Sequence, residues 1–89
     1  MDGSLSHARN PLMGWDISAT AKADKGEKIS RVQIIVDDFP ELDKSFPTPI
    51  SSWQDTIKQK GQYPGDNSVR LVVTNDNEEE SEYEDSWSE

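Results

Sequence analysis

The chain has 89 residues, 31% of them hydrophobic and 30% charged, and 18 acids against 9 bases leave a formal net charge of −9. That length supports one domain at most, with a core lean beside the roughly 45–50% apolar share of ordinary globular domains. Scattered, outnumbered bases exclude phosphate-backbone binding and attraction to anionic membranes, no run nears the ~20 apolar residues that span a bilayer, and the lack of cysteine removes disulfide scaffolds, thiol catalysis and thiolate zinc sites.

Residues 1–14 read as a flexible leader or an expression remnant. Gly3, Asn10, Pro11 and Gly14 punctuate the segment, and it lacks the apolar stretch of a signal peptide. Leu12 and Met13 are its candidates for tucking onto a core edge. From Trp15 the pattern changes. Trp15, Ile17, Ala19, Ala21 and Ala23 fall on one parity and Asp16, Ser18, Thr20, Lys22 and Asp24 on the other. Strict alternation predicts a half-buried strand, ended by the turn residues Asp24-Lys25-Gly26.

Ile29 to Val36 is β-branched and apolar, with Val32, Ile34 and Val36 on one face and Arg31, Gln33 and Ile35 on the other, so it predicts a second strand. It stops at Asp37-Asp38. Pro40, Pro47 and Pro49 exclude a helix over 39–50 and leave a loop with a short edge strand near Asp43 to Phe46. Ser51 to Gly61 reads two ways. Ser52 with Asp55 resembles a capping box, Trp53 and Ile57 are four apart, and Gly61 would end a helix. Trp53, Asp55 and Ile57 also fit one face of a strand, and local rules lean to the helix. Tyr63-Pro64-Gly65-Asp66-Asn67 predicts a type II turn. Val69, Leu71 and Val73 then alternate with polar neighbours as another strand.

The charge is uneven. Residues 1–75 hold ten acids and nine bases, while 76–89 hold eight acids and no base. Such a tail is usually disordered. Tyr83, Asp85 and Trp87 nevertheless share a parity that suits a final edge strand. The expected organisation is therefore a leader over 1–14, a sandwich core over 15–77 and an acidic segment over 78–89. Five or six short strands at about ten-residue spacing form the pattern of an all-β sandwich.

Three stretches resemble bacterial immunoglobulin-like modules. Trp15-Asp16-Ile17-Ser18-Ala19-Thr20-Ala21 is similar to their second strand. Ile29 to Asp38 is similar to the strand that leads through Val-Asp into a hairpin, and Tyr63 to Asp76 to the strand that opens on Pro-Gly-Asp-Asn. The resemblance covers about residues 15–79. It implies an antiparallel immunoglobulin-like β-sandwich of six or seven strands, and tips Ser51 to Gln59 toward a strand. Two departures stand out. Asp38 and Glu79 occupy turn positions where relatives often carry glycine. Asp55 takes an inward position that favours an apolar residue, and its carboxylate must reach solvent or a partner, so either the residue lies at a sheet margin or the segment is not that strand.

Little here suggests catalysis. The only histidine, His7, lies in the leader, and triad chemistry needs a placed base. No glycine-rich phosphate loop is present. Asp37 and Asp38 end one strand and Asn75, Asp76 and Asn77 end another; in a sandwich such ends can meet at one pole. Calcium takes several carboxylate and carbonyl oxygens, which makes Asp37, Asp38 and Asp76 candidate ligands. The favoured reading is that they simply make turns. No other cofactor is expected. Trp15 and Trp53 read as core, whereas Trp87, with Tyr83, is the expected exposed aromatic and candidate ligand contact. Val32 to Asp38 also resembles an apolar strand-addition motif followed by acids, for which a buried central strand is the favoured alternative.

The expected core is Trp15, Ile17, Ala19, Ala21, Val32, Ile34, Val36, Trp53, Ile57, Val69, Leu71 and Val73. The function expected is a non-enzymatic structural or adhesive module of a bacterial secreted or cell-surface protein, monomeric, with no nucleic-acid or membrane partner. Two alternatives stand beside it. One is a carbohydrate- or protein-binding module using exposed aromatics. The other is a disordered acidic interaction segment.

Overall fold

Alternation of apolar and polar side chains dictates a sheet face, and the computed structural model, which describes residues 1–11, 14–59 and 66–88, is built from such faces. Seven strands occur in chain order: β1 (Asp2–Arg9), β2 (Trp15–Lys22), β3 (Ile29–Val36), β4 (Phe39–Ile50), β5 (Ser52–Gln59), β6 (Asp66–Asn75) and β7 (Glu80–Ser88). They form two antiparallel sheets, one ordered β1-β2-β5 and the other β4-β3-β6-β7. The molecule is an all-β antiparallel sandwich, compatible with an immunoglobulin-like domain. Its extents are 41 × 19 × 18 Å.

The buried apolar core is Ile17, Ala19 and Ala21 from the first sheet and Ile29, Val32, Ile34, Val36, Val69, Leu71 and Val73 from the second. Trp15, Trp53 and Ile57, expected inside, lie half-buried at its margin. Ile29 was not expected inside, because it has the opposite parity to Val32. A register shift between Ile29 and Arg31 turns it inward. Ser30 absorbs the extra residue, and its hydroxyl donates to the Thr74 and Asn75 carbonyls at 3.2 and 2.8 Å.

Turn chemistry closes the hairpins. Asp37 and Asp38 both have positive φ, 48° and 67°, so the two-residue β3–β4 turn is of the type I′ form that suits sheet twist. Gly26, at φ 92°, sits third in the Asp24–Glu27 turn, where the Glu27 N–H donates to the Asp24 carbonyl at 3.2 Å. Glu78, at φ 64°, takes the left-handed position of the three-residue β6–β7 turn. That position is Glu78 rather than the neighbouring Glu79.

Two expectations change and two open readings resolve. Residues Asp2–Arg9 are not a flexible leader but β1, paired with β2 from Asp2↔Lys22 to Arg9↔Trp15. The edge strand expected near Asp43 to Phe46 extends over twelve residues as β4. Its prolines fit because β4 pairs only with β3 and because the partner register jumps from Ser45 to Ile50, which leaves Pro47 and Pro49 outside the ladder. Ser52–Gln59 is a strand, as the resemblance implies, and not the helix that local rules favour. Pairing along all of β2 outweighs a weak capping signal. The acidic segment supplies β7, paired with β6 from Thr74↔Glu80 to Asp66↔Ser88. Leu12, Met13 and the expected turn at Tyr63-Pro64-Gly65 lie outside the described residues.

Candidate functional site

A sandwich has two open sides, where the edge strands of its sheets face each other. On one side these are β1 and β7. Both are inward-facing at odd positions: Leu5 and His7 on β1, Tyr83, Asp85 and Trp87 on β7. His7 Nδ1 lies 2.6 Å from Asp85 Oδ2, joining residues 78 apart in sequence. The imidazole stacks on Trp87 with ring centroids 3.9 Å apart and planes 15° from parallel. Trp15 meets it edge-on at 5.4 Å, and Trp15 and Trp87 are 5.1 Å apart. The Arg9 guanidinium sits 5.1 Å from the Trp15 ring. The Trp15 and Trp87 indole N–H groups are buried without an acceptor, so ring packing rather than indole hydrogen bonding holds this side together.

Toward the opposite end, Tyr83 crosses the same side. Its hydroxyl donates to the Met1 carbonyl at 2.9 Å, and its ring lies over Gly3. A Cβ on Gly3 would stand 2.5 Å from the ring, so only glycine fits under it. Burial raises the Tyr83 phenol above its ordinary value, and the Asp2 carboxylate adds to the shift.

The pole next to Tyr83 is a polar network. The Met1 ammonium pairs with Asp24 and, at 2.9 Å, with Glu27. Asp24 first and Glu27 second raise the ammonium to about 10. Glu27 is held down to about 2 by the ammonium, then by the Asp24 N–H and the Asn75 amide. Asn75, only 6% exposed, is the hub. Its side-chain Oδ1 accepts from the Asn77 and Glu79 N–H groups, both at 2.9 Å, and its side-chain amide donates to Glu27 and Glu79. At the far pole, buried Asn10 caps the β1–β2 connection by accepting from the Gly14 N–H at 3.0 Å.

The candidate calcium residues are not brought together. Asp37 and Asp38 follow Val36, and Asp76 follows Asn75; Val36 pairs with Val69 and Ile29 with Asn75, so the two groups sit at opposite ends of β3. Asp37 accepts from the Ser68 N–H at 2.9 Å and Asp76 from the Lys28 N–H at 3.1 Å, which are turn and strand-end roles. Among the described residues no group of three or more His, Asp or Glu side chains is placed to hold a metal ion. Tyr83 and Trp87 share the inward parity of β7 but stand toward opposite poles, Tyr83 against Met1 and Gly3 and Trp87 against His7 and Trp15; both are half-buried, so Trp87 is not the exposed aromatic. Among the described residues the large exposed hydrophobic is Phe39, 63% exposed beside the β3–β4 turn.

Asp55 does lie at a sheet margin. It pairs with buried Ala19 on the inward parity of edge strand β5, is exposed, and accepts from the adjacent Thr56 N–H at 2.8 Å. Sequence reasoning missed the roles of Leu5, His7 and Asn10, and read Asn75 only as a turn residue at a strand end. The one available signal was the alternation of Gly3, Leu5 and His7 with Ser4, Ser6 and Ala8, which is faint because it contains one large apolar residue.

Comparison of the chain with protein-family models, with curated proteins and with solved structures finds no match.

Proposed function

We propose that the chain is a non-catalytic immunoglobulin-like module with a structural or adhesive role, of the kind strung along bacterial secreted or surface proteins. The observation that carries this reading is the path of the chain. β1 begins at the Asn75 pole and β7 ends where Ser88 pairs with Asp66 at the other, so the first and last strands span a 41 Å body from pole to pole. β1 and β7 run parallel along one side, between the points where tension would be applied. A module placed in a row transmits force in this way. The one histidine, His7, is engaged by Asp85 and two tryptophans, and Arg31 by Asp43 at 2.7 and 2.9 Å, contacts that support a structural role. Calcium and other cofactors play no part in this role.

The test is single-molecule extension of the full chain held between two calibration domains. One cooperative rupture is expected, releasing about 260 Å of contour. A chain that lengthens gradually without a rupture peak would remove the structural reading.

A further inference from the structure

Each sheet edge presents unpaired backbone groups, and proteins limit pairing there with prolines, bulges or charge. β4 carries Pro40, Pro47 and Pro49 with two breaks of register. β7 presents Glu80, Glu82 and Glu84, all exposed, on its outward parity. β1 is bound across the side of the sandwich to β7. β5 has neither proline nor bulge, and its charges are Asp55 on the inward parity and Lys58 on the outward. Its eight residues pair with β2 in unbroken register.

β5 is also nearly complementary to itself. Place a second β5 antiparallel beside it with the two-fold axis at residue 55. Inward, Trp53 then faces Ile57 of the second copy, and the reverse. Outward, Gln54 faces Thr56 and Ser52 faces Lys58. Trp53 and Ile57 are half-buried in the single chain and gain cover from such a neighbour. Only the centre conflicts, where Asp55 meets Asp55. Sliding by two residues sets Asp55 against Ile57 or Trp53, and sliding by one turns every side chain to the wrong face.

We infer that β5 is a latent self-association edge, its occupant a second copy of this chain, and that Asp55 sets how strongly the copies pair. Two such sandwiches would share one continuous six-stranded sheet. An eight-residue edge contact is small beside the roughly 1,200–2,000 Å² of stable interfaces, so one like-charge pair at its centre decides the outcome.

The test is sedimentation equilibrium on the full chain and three variants. Asp55→Val should tighten the monomer–dimer constant at least about tenfold, Asp55→Asn less, and Asp55→Lys, which restores a like-charge pair, should match the parent. Because the chain has no cysteine, register can be read by air oxidation: Asp55→Cys should form a disulfide dimer and Thr56→Cys, whose partner position is Gln54, should not. Asp55→Val and Asp55→Asn sedimenting like the parent would overturn the proposal. Cross-linking of Thr56→Cys as readily as Asp55→Cys would overturn the two-fold register.

Discussion

The two sides of this sandwich are built from similar strands and end up unlike. Along β1 and β7, inward positions hold Leu5, His7, Tyr83, Asp85 and Trp87, and they meet: a ring stack, an imidazole–carboxylate contact and a tyrosine over a glycine. Along β4 and β5, inward positions hold Leu42, Lys44, Phe46, Trp53, Asp55 and Ile57. There the Lys44 ammonium rests 5.6 Å from the Phe46 ring and Asp55 turns to its own backbone neighbour. Both sides have aromatic and charged residues. What differs is whether those residues face a partner, so composition alone cannot tell a closed side from an open one.

The largest expected effect comes from truncating one aromatic on each side. Trp87→Ala should cost about 3–4 kcal/mol, because it removes the surface on which His7 and Trp15 pack, whereas Trp53→Ala on the open side should cost about half of that. Chemical denaturation of both variants reads the difference, and equal losses would abolish the distinction between the sides. Gly3→Ala comes next. Its methyl group forces the Tyr83 ring outward, for an expected loss of about 1–3 kcal/mol, while Ser4→Ala on the exposed parity should change little.

The His7–Asp85 contact is smaller. A double-mutant cycle with His7→Gln and Asp85→Asn should return a coupling of about 1 kcal/mol. A coupling near zero would leave the rings alone as the closing element.

The smallest effect is a pH dependence at the Asn75 pole. The folded state lowers Glu27 from 4.5 to about 2, so its stabilising contribution is present above 4.5 and fades as pH falls toward 2. The Met1 ammonium is raised from 8.0 to about 10, so its contribution is present below 8 and fades as pH rises toward 10. Glu27→Gln should remove the acid limb of a plot of melting temperature against pH and weaken the alkaline limb, which Asp24 chiefly sets, for the 89-residue chain with a free amine. Limbs identical to those of the parent would show that Glu27 does not couple to the ammonium.

Much of the fold was legible. β2, β3 and β6 announce themselves by alternation, and Asp37-Asp38 and Gly26 by turn chemistry, because both signals depend on residues next to one another. The candidate site was not legible. Asp85 reads as one acid in an acidic tail and His7 as a residue in a leader. Only packing brings them to 2.6 Å. The same holds for Asp37, Asp38 and Asp76, which a single strand order separates to opposite poles.

By itself the sequence determined that the chain would form sheets, which faces of β2, β3 and β6 would be buried, and where most turns would fall. These follow from the two-residue period of a strand and the φ preferences of Gly, Asn and Asp. The tertiary structure decided that residues 2–9 would be a strand, which of two open readings 52–59 and 80–88 would take, and that a bulge at Ser30 would turn Ile29 inward. Each of these depends on a neighbouring strand supplying hydrogen bonds and apolar contact from far along the chain, information that no local pattern contains.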